Sequence, residues 1–363
     1  MGSPAFKFPS YAKLAFILLS LILIFTIAYL GQHVLIPLLL AFLFAILLRP
    51  VAHFFNTKLK LPHVVAVLLS VILAVICVAT IIVVVSWQVS EMTDDWNKIK
   101  LNLSAHFQHA QLWIKERFHV SYTKQQNYIE HLREETLKSD TELMGDTLSS
   151  FTDTILGIVL IPIYTFLILL YRSLFVKFIF EIIDQKNWQV VQEILGQIRT
   201  VIQSYIVGLL IEMGLVAFLT TTGLMLLGIQ YAILLGVITA ILNVIPYIGI
   251  LAAAVITIFA TLGSSGEISL IIGIIVLNII VQVIDNNFIV PKIVGNKVCI
   301  NALATMVGVI AGGTLSGISG MILSIPIIAI IKVIFDHIEP LKPWGLLMGN
   351  SVPEKYLPPS PNI

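Results

Sequence analysis

The chain has 363 residues, of which 58% are hydrophobic and 11% are charged, and its formal net charge is +1. Soluble domains carry about 25% charged residues, so this composition excludes an ordinary soluble protein. The nearly balanced charge gives no indication of nucleic-acid binding. The composition instead predicts an all-α polytopic membrane protein.

Apolar runs along the chain predict the membrane-spanning helices, because most of them reach the ~17–25 residues that a spanning helix needs. Six runs are unbroken: Leu14–Leu30, Val34–Leu48, Val64–Ser86, Thr154–Tyr171, Tyr205–Leu227 and Ile268–Ile284. The first is interpreted as a signal anchor, since no small-residue cleavage site follows it. Two longer apolar segments are interrupted, and together the runs predict about seven to eight transmembrane helices.

The distribution of Lys and Arg predicts the orientation. Lys7 and Lys13, the loop Arg49–Lys60 and the segment Arg172–Arg199 all fall on one side, which is then the cytoplasmic side together with both termini. The predicted segments are 1–86 (three transmembrane helices), 87–150 (an extracytoplasmic helical segment), 151–171 (a fourth transmembrane helix), 172–200 (cytoplasmic amphipathic helices), 201–338 (a transmembrane core with broken helices) and 339–363 (an extended, Pro-rich cytoplasmic tail).

Amphipathic stripes distinguish two segments from the spanning helices. The outer segment carries apolar residues at helical spacing: Ile99, Leu103, Phe107, Ala110, Trp113 and Ile114. Segment 172–200 carries similar stripes, which predict a helical pair on the membrane surface. For the outer segment, a small packed helical domain is favoured over a ligand-binding domain.

Two long apolar segments contain residues that break helices. Tyr231–Leu262 is interrupted at Asn243–Gly249, and Asn301–Phe335 is interrupted at Gly312–Gly317. Inside a bilayer, non-helical backbone is tolerated only beside protein or a water-filled cavity, and paired interruptions of this kind are typical of transport pathways. The candidate pathway residues at these breaks are Asn243, Pro246, Gly312 and Gly313. In the alternative interpretation, the glycines only allow close packing of helices.

Polar residues at membrane depth supply the other candidates. Asn278, Gln282 and Asp285 are spaced i, i+4, i+7 and share one helical face. Asn286 follows them, and Glu212 lies in the middle third of another span. Because a carboxylate at the centre of a spanning helix costs about 2.5–3.5 kcal/mol, these residues are expected to face a cavity or a partner. Hydrogen bonding between neighbouring helices is the alternative.

Signatures of other function classes are absent from the sequence. It contains no phosphate-binding loop of an ATPase and no motif of an intramembrane hydrolase, so an enzyme is not expected. Cys77 and Cys299 indicate neither a disulfide framework nor a metal site, and His106 and His109 lack further ligands. No cofactor is expected.

Ordered motifs in the second half resemble a known family. They are Tyr205-x-x-Gly208, Leu227-Gly228-Ile229, Asn243-Val-Ile-Pro246-Tyr247-Ile-Gly249, Asp285-Asn-Asn-x-Ile289-Val290-Pro291-Lys-x-x-Gly295 and Gly312-Gly313-x-x-x-Gly317-x-x-Gly320-Met321-x-x-x-x-Pro326. With them the chain resembles the autoinducer-2 exporter family of bacterial membrane proteins. The resemblance implies a homo-oligomeric secondary transporter in the bacterial inner membrane. It also implies that a small polar solute, such as autoinducer-2, is exported.

Other functions stay open, both among those known in this family and outside it. Members of the family are also associated with Na⁺(Li⁺)/H⁺ antiport, which would make a monovalent cation and a proton the substrates. Many members carry Gln where this chain has Leu209 and Pro where it has Ala302. If those positions touch the substrate, the substrate here is expected to differ from that of these members. A non-transporting sensor or scaffold and a passive channel are the remaining alternatives.

Overall fold

The computed structural model describes residues 9–118, 121, 126, 130, 157–246, 248–265, 267, 269–293 and 300–350. Within these ranges every regular element is helical, which confirms the predicted all-α class. The α-helices are α1 (Ser10–Leu30), α2 (Gln32–Thr57), α3 (His63–Asp94), α4 (Trp96–Phe118), α5 (Gly157–Leu170), α6 (Arg172–Ile182), α7 (Trp188–Leu226), α8 (Ala232–Asn243), α9 (Gly249–Ser264), α10 (Ser269–Ile284), α11 (Val290–Ile293), α12 (Ala302–His337) and α13 (Lys342–Met348).

Five helical stretches in the described ranges are long and apolar enough to cross a bilayer. They are α2, α3, the stretch Gln185–Leu226 that contains α7, the stretch Ser269–Ile293 that begins with α10, and α12, whose 36 residues are counted as one stretch although the chain reverses at Ser316–Gly317. A sixth is added if α5 and α6, which meet at a bend of 62°, form one span. Three further apolar helices are shorter: the part Ala15–Leu30 of α1, α8 and α9. The predicted total of seven to eight spans therefore stays a prediction.

The boundary predicted at residue 200, between a surface helix and a spanning helix, does not exist as a break. Helix α7 runs without interruption over 39 residues from Trp188 to Leu226. The stretch Arg199–Ser204 contains neither proline nor glycine, so nothing in it stops a helix that has already begun. The break lies earlier, where Trp188 Nε1 donates to the carbonyl oxygens of Phe180 (3.0 Å) and Ile183 (3.1 Å) at the end of α6.

The first predicted interruption is present in the fold. Helix α8 ends at Asn243, α9 begins at Gly249, and the two helices pack against each other. Helix α8 also packs along α7, so the α8–α9 pair forms a short helical hairpin held against a long helix. The turn of this hairpin places Pro246 between the two helices.

The second predicted interruption is present at the last two residues of the predicted interval. Within α12, Ser316 (φ −149°, ψ 27°) and Gly317 (φ 56°, ψ −139°) leave the helical conformation. A positive φ favours glycine, which lacks a Cβ. The chain reverses at this point, because Ser324 Oγ lies 2.8 Å from the carbonyl oxygen of Gly308 on the preceding half. Helix α12 is therefore an antiparallel hairpin of two helical halves.

The third helix extends beyond the predicted end of its span. Helix α3 continues to Asp94, and the next residue, Asp95, accepts hydrogen bonds from Tyr231 Oη (2.6 Å) and Gln230 Nε2 (2.8 Å). The Tyr231 hydroxyl, together with Gln230 and Lys98, holds the pKa of the Asp95 carboxyl below its usual range. These hydrogen bonds connect the C-terminus of α3 to the residues just before α8.

The apolar stripe predicted in the outer segment forms part of helix α4, which packs against α9. Ile99 is buried in a core cluster with residues of α7, α8, α9 and α10. Asn102 Nδ2 donates to the carbonyl oxygen of Gly263 at 2.8 Å. Phe107 and Trp113 on the same stripe remain more than half exposed. Most of the remaining outer segment, from 119 to 150, lies outside the described residues.

The tail was predicted to be extended, but its first part is helical. A 3₁₀ turn at Glu339–Leu341 leads into α13, and a proline occupies the first or second position of each. Proline is compatible with these positions because their N–H groups have no intrahelical acceptor. Asn301 holds α13 in place, since its Nδ2 donates to the carbonyl oxygens of Leu347 (2.6 Å) and Gly349 (3.1 Å). Residues 351–363 lie outside the described ranges.

Candidate functional site

A cavity of about 440 Å³ lies where α7, the α8–α9 turn, the end of α10 and the α12 hairpin meet. Its lining combines two carboxylates with amides, hydroxyls and aliphatic side chains. The lining residues are Tyr205, Leu209, Glu212, Asn243, Val244, Pro246, Ile250, Gln282, Asp285, Asn286, Val290, Ile300, Thr305 and Ile325. An apolar wall with a few converging polar groups is the usual make-up of a small-molecule site.

The two carboxylates of the cavity share one amide. Asn243 Nδ2 donates to Glu212 Oε1 at 3.2 Å and to Asp285 Oδ2 at 3.3 Å. Asp285 is 3% exposed, and its Oδ1 atom has no hydrogen-bond partner. A buried carboxylate oxygen without a partner is unfavourable, so this atom is available to a proton, a cation or a donor group of a solute.

Helix α7 supplies one wall of the cavity through residues on a single face. Tyr205, Leu209 and Glu212 are spaced i, i+4, i+7 and therefore project in the same direction. At 1.5 Å per residue, Glu212 lies about 20 Å from Arg199 and about 21 Å from Leu226 along the helix axis. The part of α7 between Arg199 and Leu226 is long enough to cross a hydrocarbon layer about 30 Å thick, and Glu212 lies near its middle.

Asp285 is positioned by a local change of helix type. Helix α10 passes at Ile284 into a π-helical turn, Asp285–Ile289, before α11 begins. Pro291 follows, and its missing N–H cannot complete an α-helical ladder, so a wider turn accommodates it. The π-turn carries Asp285, Asn286 and the buried Ile289, and π-turns are frequent at functional sites.

Asn243 is positioned by the end of α8. It is the last residue of that helix, and the following chain turns through Pro246 before α9 starts at Gly249. Because the helix stops here, the amide of Asn243 reaches α7 and the π-turn at once. The interruption thus brings side chains from three helices to one point.

The structure gathers six of the nine candidate residues in this cavity. They are Glu212, Asn243, Pro246, Gln282, Asp285 and Asn286. Asn278 does not line the cavity, and its Nδ2 donates to the carbonyl oxygen of Ile274 in its own helix (3.0 Å). Gly312 and Gly313 also lie outside the lining, in the helical part of α12 before the turn.

Several lining residues were not among the candidates. Tyr205 and Leu209 share a helical face with Glu212, so this spacing could have identified them. Thr305 and Ile325 come from the two halves of α12, and no local pattern marks them. Leu209, where many members of the resembling family have Gln, thus lies at the site itself. Ala302 does not: it is the first residue of α12, where proline is equally acceptable.

No metal centre is formed in the described ranges, since no three His, Cys, Asp or Glu side chains converge there. The cavity contributes two carboxylates bridged by the amide nitrogen of one carboxamide. Such a set suits a proton, a monovalent cation or a hydroxyl-bearing solute.

Comparison with known proteins matches this architecture to one family. A model of the family described as "AI-2E family transporter" matches residues 18–339. A Bacillus subtilis (strain 168) protein named "Putative transport protein YueF" is 25% identical over 312 residues, covering 83% of each chain. A Haemophilus influenzae protein named "Putative transport protein" is 24% identical over 329 residues, covering 88% of this chain and 91% of its own.

A shorter stretch is more similar to another protein of Bacillus subtilis (strain 168). The protein named "Putative transport protein YrrI" is 33% identical over 133 residues, or 37% of each chain. The family match extends from α1 to the end of the α12 hairpin and includes the whole cavity. The chain therefore belongs to the AI-2E family of membrane transporters.

Proposed function

We propose that the chain is a secondary transporter that moves a small polar solute through the cavity around Glu212, Asn243 and Asp285. The observation that carries this proposal is a buried carboxylate, Asp285, and a half-buried one, Glu212, held by one amide at the interruption of a helical hairpin. Glu212 lies far from either end of α7, and Asp285 lies in the π-turn that joins α10 to α11. A polar cluster at that depth is costly to insert and is typical of a substrate or ion pathway.

Autoinducer-2 is the proposed substrate of the exporter type. A furanone of this size is compatible with a cavity of about 440 Å³, and its hydroxyl groups can donate to carboxylate oxygens. Leu209 makes one wall less polar than in members that carry Gln there. We therefore propose a small polar solute as the substrate class, with autoinducer-2 as its first candidate.

Na⁺(Li⁺)/H⁺ antiport is the second candidate, and one observation favours it. The unpartnered Oδ1 of Asp285 lies in the same group as two further carboxylate oxygens and the Asn243 side chain. A proton bound to one carboxylate, or a cation bound between the two, would each neutralise part of the same negative charge. Exchange of one for the other is the basis of an antiport cycle.

Flux measurements in proteoliposomes distinguish these candidates. Vesicles containing the purified protein are given a pH gradient, and movement of autoinducer-2 is compared with movement of Na⁺ and Li⁺. Furanone flux without cation-driven proton movement supports the exporter, whereas proton movement driven by Na⁺ or Li⁺ supports the antiporter. A flux that does not depend on the pH gradient indicates a channel. The absence of any flux, with folded protein present in the vesicles, favours a sensor or scaffold.

We further propose that the protein lies in the bacterial inner membrane as a homo-oligomer, with α4 outside and both termini in the cytoplasm. In a variant without native cysteines, Ser104→Cys in α4 is expected to react with an impermeant thiol reagent in intact cells. Asn187→Cys, between α6 and α7, is expected to react only after the cells are opened. Both residues are exposed. Labelling of Asn187→Cys alone in intact cells would reverse the orientation.

A further inference from the structure

A second cavity of about 750 Å³ lies between α2, α5, α6 and α7, at the other end of α7 from the core cluster around Ile99. One part of its lining is basic and comes from three arginines and one lysine: Arg49, Arg172, Arg199 and Lys177. The other part is an apolar wall: Phe42, Ala45, Ile46, Ile168, Leu169 and Leu195. Along α7, Arg199 is about 20 Å from Glu212, so this cavity is separate from the candidate transport site.

Three of the four positive charges that line this second cavity have no ion-pair partner among the described residues, whereas the fourth, Lys177, lies 3.6 Å from Glu181. In the described part of the chain, none of Arg49, Arg172 and Arg199 makes an ion pair or a side-chain hydrogen bond. The three are close enough that Arg172 and Arg199 act electrostatically on the half-buried Arg49. Like charges held together without an anion repel one another, so an anionic ligand would stabilise this arrangement.

Two of the three arginines also border a second, smaller pocket. Arg49 and Arg172 also line a small polar pocket of about 50 Å³, together with His53, Asn56 and His63. Arg49 and Arg172 therefore border both the small polar pocket and the larger cavity with its apolar wall. A guanidinium is planar and binds two phosphate oxygens at once, which makes arginine well suited to phosphate.

We propose that the second cavity binds an anionic phospholipid, with its phosphate on Arg49, Arg172 and Arg199 and an acyl chain along the apolar wall. A free phosphate ion would satisfy the arginines but would leave the apolar chamber unused. Basic pockets between transmembrane helices on the cytoplasmic side bind anionic head groups, and the predicted orientation puts these arginines on that side. The lipid bridges α2, α6 and α7 and fixes the bend between α5 and α6.

Binding of phosphatidylglycerol to the delipidated, detergent-solubilised protein tests this proposal by native mass spectrometry. Phosphatidylcholine with the same acyl chains is the neutral lipid control. Arg49→Gln and Arg172→Gln are each expected to weaken phosphatidylglycerol binding roughly fivefold. Lys186→Gln removes a charge from the same side of the protein but does not line the cavity, and no change is expected. Equal binding of both lipids, or equal loss in all three variants, would overturn the proposal.

A matched pair of glycine variants on α7 separates a lipid from a free anion. A Cβ added to Gly196, which lines the cavity, or to Gly214, which does not, meets no atom within 4 Å. Gly196→Leu is expected to fill the apolar chamber and reduce phosphatidylglycerol binding at least about fivefold, while Gly214→Leu leaves it unchanged. Inorganic phosphate is titrated in parallel. One result would overturn the lipid proposal: phosphate competes with phosphatidylglycerol, and Gly196→Leu changes the affinity for neither of them. The cavity would then be an anion site and not a lipid site.

Discussion

Asp285→Asn is expected to lower the initial rate of transport about ten- to a hundredfold while the amount of protein in the membrane stays the same. The substitution keeps the shape of the side chain and an oxygen that can still accept from Asn243 Nδ2. It removes only the negative charge, at a position that is 3% exposed. Contacts to a buried charged group contribute about 1.5–3 kcal/mol, which corresponds to this range of rates. The measurement is initial flux in proteoliposomes, normalised to reconstituted protein.

Glu212→Gln is expected to act in the same direction but to combine non-additively with Asp285→Asn. Both carboxylates accept from the same Asn243 amide, so each variant changes the surroundings of the other. Residues in one hydrogen-bond network couple by about 0.5–3 kcal/mol. The double variant is therefore expected to transport nearly as well as Asp285→Asn alone, and fully multiplied losses would indicate two independent sites.

Asn278→Ala is the matched control for the carboxylate variants. Asn278 belongs to the same sequence stripe as Asp285, but its amide bonds to its own helix and it does not line the cavity. Its removal is expected to leave the rate within about twofold of the original, since a local side-chain to backbone bond contributes little. If Asn278→Ala and Asp285→Asn lose equal activity, the whole stripe lines the pathway. Normal rates and normal pH dependence in both carboxylate variants would remove these groups from the mechanism.

Much of the fold follows from local features of the sequence. Apolar runs identify most of the long helices, and Pro246 marks the turn between α8 and α9 because a proline in that context ends a helix. The α12 hairpin is also foreseen, but its turn lies at Ser316–Gly317 and not at the Gly312–Gly313 pair. Two consecutive glycines lower helix propensity, but they do not force a helix to end. The turn needs a glycine only at the one position where φ is positive, and that position is Gly317.

The predicted site is less complete, because it depends on contacts between distant segments. The stripe rule places Asn278 with Gln282 and Asp285, but it assumes a regular helix facing one environment throughout. Here the π-turn at Asp285–Ile289 and the packing of α10 confine the cavity to the end of the helix. Thr305 reaches the cavity only because α12 folds back, which no local pattern of its own residues reveals.

Gly312→Leu is expected to unfold the α12 hairpin and to leave little folded protein in the membrane. A Cβ at Gly312 would overlap Ser324 Oγ and the carbonyl oxygen of Gly320 on the opposite half. Likewise, a Cβ at Gly320 would overlap the carbonyl oxygen of Gly312. Backbone atoms cannot rotate away, so the two halves must separate, and Thr305 and Ile325 would then leave the cavity.

The smaller change Gly312→Ala tests the same contact within a measurable range. Overpacking of this kind costs about 1–3 kcal/mol, whereas replacing a helical glycine by alanine elsewhere gains about 0.5–1 kcal/mol. The melting temperature of Gly312→Ala in detergent is therefore expected to fall. Gly214→Ala in α7, where the added Cβ meets no atom within 4 Å, is expected to keep or raise it. Equal melting temperatures for Gly312→Ala and Gly214→Ala would mean that the two halves of α12 are not in contact. The α12 hairpin would then not line the cavity as described.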